Sequence, residues 1–486
     1  MKLADLLTGL GSIQHDVEIS HIALDSREIT QGGVFFAVAG SKQHGLLYAE
    51  KVQQQGAAAI VYDPANEGKE LARDIAGLPL IAIENLTEKL GSIATHFYAD
   101  PAQYLNVIGI TGTNGKTSCS QFLAQAMNDC GVIGTLGWGR YPDFHSTSNT
   151  TPDAFALQKI LECFVSDGLK HVAMEVSSHG LEQGRVNAMT FNGAIFNNLS
   201  RDHLDYHGSM EAYLQSKLRL LKWPGLKFAV VNLDDAYAQR VITTIAHEVR
   251  ILTYSLQDKV HSIDSSITAR NINYTHAGFE CDVYWRGQQA RLTTTLLGDF
   301  NLQNILAVLA VLLESGKNLT ECLVAIQVIK PVIGRMECFT GGVGKPMVVV
   351  DYAHTPDALK KALSTLRRHC TAQLSVVFGC GGDRDQGKRK EMGLIAEQLA
   401  DRIIVTDDNP RLEDSSAIIK QIIGGLKMHK LTVISNRKAA IAKSIALSSQ
   451  QDIVLVAGKG HEKYQEIKGV KYPFSDREIV QELLAA

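Results

Sequence analysis

The chain has 486 residues, 45% of them apolar and 20% charged, and its 48 Lys plus Arg against 51 Asp plus Glu leave a net charge of −3. That length exceeds what one hydrophobic core fills and points to about three domains, while the charge balance lacks the basic excess of a nucleic-acid binder. The longest apolar run, Ile305–Leu313, falls far short of the ~20 residues that span a bilayer, and "MKLADLLTGLGSIQHD", with its acid at Asp5, is not a secretory signal.

Eight cysteines are scattered without a CxxC pair, the pattern of reduced thiols in a cytoplasm, with neither disulfides nor zinc. A soluble cytoplasmic protein with no nucleic-acid partner and no membrane insertion is expected.

In chain order, "GGVFFAVAG" reads as a strand and Tyr48–Gln55 as a helix, and the turn-rich Tyr98–Gln103 marks a first boundary. From Leu105 apolar strands alternate with amphipathic helices. "LNVIGIT" is a strand. Thr117–Met127 is a helix with Phe122, Leu123, Ala126 and Met127 on one face; Asp153–Asp167 is another, with Phe155, Ile160, Leu161 and Phe164 inward. "HVAMEVS", "GAIFNNLS" and "KFAVVNLD" are strands. This succession predicts a parallel sheet flanked by helices.

Pro331–Gly334 marks a second boundary, after which a fresh series begins. It runs strand "MVVVDYA", helix Pro356–His369, strand "LSVVFG", helix Lys390–Leu399, strand "RIIVTD", helices Ser415–Leu426 and Arg437–Ser448, and strand "DIVLVAG". The fold class is therefore α/β in three domains: a small mixed one over 1–100, a central one over 101–330 with a mainly parallel sheet, and a third over 331–486.

"GITGTNGKTS" (residues 109–118) lies between a buried strand and a helix. Gly112 and Gly115 let the backbone of Thr113, Asn114 and Ser118 turn around an anion, and the helix amino terminus adds a positive dipole end. Lys116 can reach the β- and γ-phosphates and the Thr117 hydroxyl can ligate Mg²⁺. Position 110 is Ile, so the loop departs from GxxxxGK[ST]; strand, glycines, Lys-Thr and helix together still favour ATP over a structural turn.

Glu175 ends the strand in "AMEVSSHG", on the sheet edge where open α/β folds bind ligands. It suits Mg²⁺, and an acid inside an apolar strand is costly unless paired. His203, Asp205 and His207 raise a zinc reading, but H-x-D-x-H lies in an expected loop with no cysteine or further histidine grouped with it. Lys217, taken alone, is an ordinary helix lysine. "VTDDNPRLED" reads as a strand that stops at Asn-Pro and delivers Arg411 at its carboxyl edge, where a solvated loop arginine needs no ligand. "VVFGCGGDRD" follows a strand but fails the GxGxxG spacing of a dehydrogenase.

"GTNGKT", "EVSSHGL", "NLSRDHLDYHG", the Lys217 helix, "GRME", "DYAHTPDAL" and "DNPR" come in an order that resembles the Mur ligases, and the likeness runs from "LDSR" to "GKGHE". It implies a UDP-binding first domain, a central phosphate-loop ATPase domain with this shortened loop, and a Rossmann-like third domain that closes over the site. It also implies a monomeric, ATP- and Mg²⁺-dependent amide ligase of cell-wall precursor synthesis.

Residue by residue, the resemblance places Leu24, Ser26, Ser41, Lys42 and Gln43 at the UDP end of a UDP-MurNAc-dipeptide, and Asn149, Thr150, Thr151, Ser177, Gln183 and Arg185 on its muramoyl-dipeptide part. Asn301, its neighbour Asn304, Arg335 and His354 fall near the nucleotide. Lys116, His203 and Lys217 are implied as catalytic. A carbamylated Lys217 would join His203, Thr117 and Glu175 as metal ligands.

Arg384, Asp408, Asn409, Pro410, Arg411, Gly458 and Glu462 match the amino-acid pocket. "DNPR" points to meso-diaminopimelate, whose far carboxylate Arg411 can grip bidentately. Lysine would leave the guanidinium unpaired, for discrimination of order 10³-fold. Folylpolyglutamate synthases share the loop and general reaction but lack "DNPR" and "LDSR", and a nucleotide-gated binding module would show no turnover.

Overall fold

Val34, Phe35, Phe36 and Ala37 follow one another without a polar residue, the pattern of a strand covered on both faces, and Gly33–Ala37 is buried throughout. The strand lies in a four-stranded parallel sheet of order His21–Ala23, Gly33–Ala37, Ala59–Tyr62, Leu80–Ala82. Leu86, Leu90, Ile93 and Ala94 of helix Leu86–Phe97 share its core with Phe155, whose ring meets Phe36 edge-on at 4.8 Å. Such an aromatic pair contributes about 0.5–1.5 kcal/mol beyond its buried area. The computed structural model describes all residues except 12, 14, 15, 41, 42, 427–430 and 486, so Ser41 and Lys42 lie outside the described residues.

Packing divides the chain into two compact units, Met1–Tyr254 and Ser255–Ala486. Besides the first sheet, the first unit carries parallel strands in the order Arg250–Ser255, Phe228–Asn232, Gly193–Phe196, Asn106–Thr111, His171–Glu175 and Cys130–Gly134, with antiparallel Gly137–Arg140 and Asp143–His145 beyond. Asn106–Thr111 is central and feeds helix Lys116–Ala126 through the glycine loop. The expected inward residues of that helix and of Ala154–Ser166 are all buried.

In the second unit the antiparallel strands Ser266–Thr275, Gly278–Trp285 and Gln288–Thr294 precede helices Asp299–Glu314 and Leu319–Gln327. A six-stranded sheet follows in the order Glu337–Thr340, Met347–Asp351, Ile453–Ala457, Leu374–Phe378, Arg402–Val405, Leu431–Val433, parallel except at its first edge. The later strand Ile453–Ala457 is inserted between Met347–Asp351 and Leu374–Phe378. The carboxyl ends of these strands therefore gather residues from distant parts of the sequence.

Several elements differ from expectation for identifiable reasons. Strand Cys130–Gly134 escapes the apolar pattern because two of its five positions are glycine. A Cβ on Gly131 would lie 2.7 Å from the Phe164 ring, and one on Gly134 would lie 2.1 Å from Glu175 Oε1. The third helix of the last series stops at Ile423, short of Leu426, because Gly424-Gly425 ends it. Helix Gly387–Leu399 starts three residues early, where the Asp385 carboxylate accepts from Gly387 N–H at 2.8 Å. The H-x-D-x-H segment, expected as a loop, forms a single helical turn, Leu204–His207, entered through His203 in the left-handed region at φ 52°.

Candidate active site

The glycine loop is tied down by the segment that follows strand Gly193–Phe196. Thr113 and Asn114 N–H groups donate to the Asn198 carbonyl and Oδ1, each at 2.9 Å, and the Thr113 hydroxyl donates to Ser200 O at 3.2 Å. Gly112 and Gly115 hold φ of 148° and 86°, values that favour glycine. Lys116 Nζ folds back onto the Gly112 and Thr113 carbonyls at 2.8 and 3.1 Å. The first N–H groups of its helix have no acceptor within the helix.

Glu175 is buried at the end of its strand. Its Oε2 accepts from the Thr117 and Thr135 hydroxyls, both at 3.0 Å, and its Oε1 accepts from Thr135 N–H at 2.9 Å. Burial raises its carboxyl above the usual range, opposed by the nearby Lys116 charge and these hydrogen bonds. A hydroxyl and a carboxylate side by side form an oxygen donor set of the kind Mg²⁺ takes.

Lys217, with a relative exposure of 1%, projects from helix Met210–Leu221 and donates to Gly112 O at 3.0 Å. Burial first, and then the Lys116 charge, push its amine well below the usual lysine range. Its Nζ also lies 4.5 Å from the Tyr213 ring centre, and His203 packs on the same ring at 6.0 Å. His179 stands edge-on to His203 at 4.9 Å, and His207 bonds the Ser178 hydroxyl through Nε2 at 3.0 Å. Among the described residues no three His, Cys, Asp or Glu side chains group as a metal site.

Around the backbone of Glu175 the structure gathers Thr150, Thr151, Ser177, Gln183 and Arg185. Thr151 Oγ1 donates to Glu175 O (2.8 Å) and accepts from Ser177 N–H (3.0 Å), while Arg185 Nη1 donates to Thr151 O (2.8 Å) and Nε to Gln183 Oε1 (3.0 Å). The Thr150 and Thr135 hydroxyls lie 3.0 Å apart, so the cluster is continuous with Glu175. Asn149 is exposed and bonds its neighbours Thr147 and Ser148. Leu24 and Ser26 lie just past strand His21–Ala23, with Ser26 opening a short 3₁₀ helix. Gln43 bonds Tyr48 through its amide.

In the second unit Arg335 lies over the Tyr352 ring at 4.7 Å, and that ring meets His354 at 4.5 Å and His461 at 5.3 Å. The half-buried Asp351 carboxylate joins the two segments by accepting from Met336 and Ala353 N–H at 2.7 and 2.8 Å. Asn301 and Asn304 are buried on helix Asp299–Glu314, where Asn301 Nδ2 donates to Leu297 O at 2.9 Å.

The DNPR and GKGHE segments converge at the carboxyl edge of the six-stranded sheet. Asn409 Nδ2 donates to Glu462 Oε2 at 2.9 Å, and its Oδ1 accepts from the buried Lys459 Nζ at 2.9 Å. Lys459 also pairs with Glu462 at 3.0 Å. Arg411 Nη1 donates to Gly382 O at 2.9 Å, while its Nε lies 3.5 Å from Glu466 Oε2. Burial raises the Asp408 carboxyl, against the pull of Arg437 and Lys459. Pro410 is buried and Arg384 exposed.

Family models match three successive stretches: "Mur ligase family, catalytic domain" over residues 18–98, "Mur ligase middle domain" over 110–312 and "Mur ligase, glutamate ligase domain" over 334–460. The chain is 46% identical over 478 residues to the UDP-N-acetylmuramoyl-L-alanyl-D-glutamate–2,6-diaminopimelate ligase of Pseudomonas aeruginosa, covering 97% of this chain and 96% of that one. This chain belongs to the Mur ligase family.

A solved ligase of that same name superposes with a TM-score of 0.73 at 36% identity, over 96% of this chain and 94% of that one. The folylpolyglutamate synthase of Mycobacterium tuberculosis, solved with ADP and AMPPCP, reaches a TM-score of 0.59 at 17% identity over 76% of this chain and 92% of its own, a likeness of fold alone.

Sequence reasoning missed four residues that hold these side-chain clusters together. Thr135 supplies two of the three bonds to Glu175 but stands alone in "IGTLG". Lys459 lies inside "GKGHE", where nothing in the spacing marks it apart from Gly458 and Glu462. Arg389 and Arg437 are fully buried, paired with Glu413 and Asp476 respectively. These partners are 24 and 39 residues away, so no local spacing signals them.

Proposed function

We propose that this Mur ligase joins meso-diaminopimelate to the D-glutamyl γ-carboxylate of UDP-MurNAc-L-Ala-D-Glu, with ATP cleaved to ADP and phosphate. It would act as a cytoplasmic monomer in peptidoglycan precursor synthesis. The observation that carries the acceptor is Arg411, presented beside Asn409 and Glu462 at the sheet edge, in a chain nearly half identical to a diaminopimelate ligase. The matched family segments support a division into 1–100, 101–330 and 331–486. Among the described residues no helix is long and apolar enough to cross a membrane.

In this mechanism Lys116 leaves the Gly112 and Thr113 carbonyls for the γ-phosphate, and the loop N–H groups hold the phosphates in place. Thr150, Thr151, Ser177, Gln183 and Arg185 orient the muramoyl-dipeptide so that its γ-carboxylate takes the phosphoryl group, and Leu24, Ser26 and Gln43 receive the uridine end. Thr117, Glu175, His203 and a carbamylated Lys217 would hold Mg²⁺, which would neutralise charge on the transferred phosphoryl group.

The depressed Lys217 amine suits carbamylation: the neutral nitrogen adds CO₂ and loses a proton, leaving a carbamate anion. Arg411, Arg384, Asp408, Asn409, Gly458 and Glu462 bind the acceptor, whose amine attacks the acyl phosphate and expels phosphate. The likeness to the Mur ligases assigns Arg335, His354 and Asn301 to nucleotide binding.

The test is phosphate release from ATP with UDP-MurNAc-L-Ala-D-Glu and either meso-diaminopimelate or L-lysine. Turnover with diaminopimelate and little with lysine is expected. Equal turnover would leave an amide ligase but remove the acceptor assignment, and no turnover with either would end the proposal.

A further inference from the structure

The strands that deliver DNPR and GKGHE, Arg402–Val405 and Ile453–Ala457, are not neighbours, because Leu374–Phe378 runs between them. Their carboxyl ends are thus roughly 9–10 Å apart with no ladder hydrogen bonds between them. Arg437 spans that gap. It opens helix Arg437–Ala446 and is 1% exposed. Its Nη1 donates to the carbonyl of Asp407, just before Asp408, at 3.3 Å; its Nη2 donates to the carbonyl of Ala457, just before Gly458, at 2.9 Å.

Asp476, the first residue of helix Asp476–Ala485, completes the guanidinium's coordination by accepting from Nε and Nη2, both at 2.7 Å. The two helices pack on one face of the sheet through Ala440, Ile441, Ile445, Ile479, Val480 and Leu484. Gly458 closes the arrangement: a Cβ there would meet Asp408 Oδ2 at 2.5 Å and Arg437 Nη2 at 3.9 Å, so carboxylate, glycine and guanidinium are packed together.

We propose that Arg437, fixed by Asp476, is a positioning residue of the amino-acid pocket. Its fork sets the spacing between Asp408–Arg411 and Gly458–Glu462, and with it the affinity for the dicarboxylic, diamino acceptor. This rests on the acceptor assignment above. A lysine keeps the charge but cannot hold two carbonyls and a carboxylate in one plane, and misplacing binding groups by about 1 Å can cost as much as 10²-fold.

The experiment measures the KM of each substrate and kcat for wild type, Arg437→Lys and the double variant Arg437→Met/Asp476→Leu, with melting temperatures. The double variant replaces a buried ion pair by apolar side chains of similar volume, an exchange that folded proteins tolerate, and it serves if the lysine variant does not fold. The KM for meso-diaminopimelate is expected to rise about tenfold or more in both variants. Those for ATP and UDP-MurNAc-L-Ala-D-Glu should stay within about twofold, and the double variant should melt near wild type. An unchanged diaminopimelate KM, or a parallel rise in all three, overturns the positioning role. A wild type inactive with diaminopimelate removes the acceptor assignment itself, and the proposal with it.

Discussion

The amines of Lys116 and Lys217 meet at one acceptor: the Gly112 carbonyl takes a hydrogen bond of 2.8 Å from the first and 3.0 Å from the second. Two cations at one carbonyl repel each other, and only one of them can shed its charge at little cost. Lys217 is the buried one, so its neutral form is favoured.

That arrangement makes stability depend on pH. Below its depressed folded value Lys217 is charged in both states. Between that value and the ordinary 10.5 the unfolded chain keeps a proton that the folded chain has released. More protons on the unfolded state mean that stability rises with pH across this window, by up to about 1.4 kcal/mol per unit. Lys217→Met keeps the stem and removes the titration. Urea midpoints from about pH 7 to about pH 10 should climb in wild type relative to the variant; parallel curves would show that the amine is not depressed.

Glu175 carries the opposite sign. Its raised folded value makes the folded chain bind the extra proton, so its contribution is fully present below the ordinary 4.5 and is lost as pH rises through the folded value. At neutral pH the buried carboxylate is therefore a cost in the free protein. Glu175→Gln should melt at or above wild type, since the Thr117 and Thr135 hydroxyls can turn to accept from an amide, while turnover falls about 10²-fold or more. Calorimetry beside steady-state rates checks both; a variant that is destabilised and fully active would refute the assignment.

Gly134 tests the same site from the strand beside it. A Cβ there would stand 2.1 Å from Glu175 Oε1 and 2.8 Å from its Cγ, so alanine must push the carboxylate away from Thr117. The backbone there is not in the left-handed region, so an alanine brings no backbone strain of its own. Gly134→Ala is expected to fold and to lose about tenfold or more in kcat, because catalytic groups tolerate only sub-ångström displacement. Wild-type kcat would mean that the Thr117–Glu175 pair is not needed as placed.

How much of this was legible follows from what each residue's signal depends on. The Asn106–Thr111 strand, the glycine loop and the Lys116 helix announce themselves locally through apolar runs, φ-permissive glycines and helix periodicity. Strand Cys130–Gly134 does not, because its glycines record contacts with Phe164 and Glu175 that exist only in the folded chain. Lys217 looks like any helix lysine until the fold brings Gly112, 105 residues away, to its amine. Arg437 and Asp476 are silent for the same reason. The ordered motifs pointed to the pocket residues through resemblance, whereas the buried pairs beneath them are visible only in three dimensions.

Arg411 offers the most direct test of acceptor choice. One Nη1 N–H is given to Gly382 O and Nε faces Glu466, so a bidentate grip falls to the second Nη1 N–H together with Nη2. Arg411→Lys replaces the planar fork by a point charge that cannot reproduce a bidentate grip. The kcat/KM for meso-diaminopimelate should fall about 10²–10³-fold, roughly 3–4 kcal/mol, while that for L-lysine, which has no second carboxylate, should change little. The ratio of the two therefore contracts by nearly the whole loss. Arg411 also ties the loop to the antiparallel hairpin Tyr464–Ile467 and Val470–Pro473 through its backbone, donating from N–H to Glu466 O at 3.0 Å, and this bond survives any side-chain change. Equal losses for both acceptors would thus mean that the side chain supports the loop and does not read the substrate's far carboxylate.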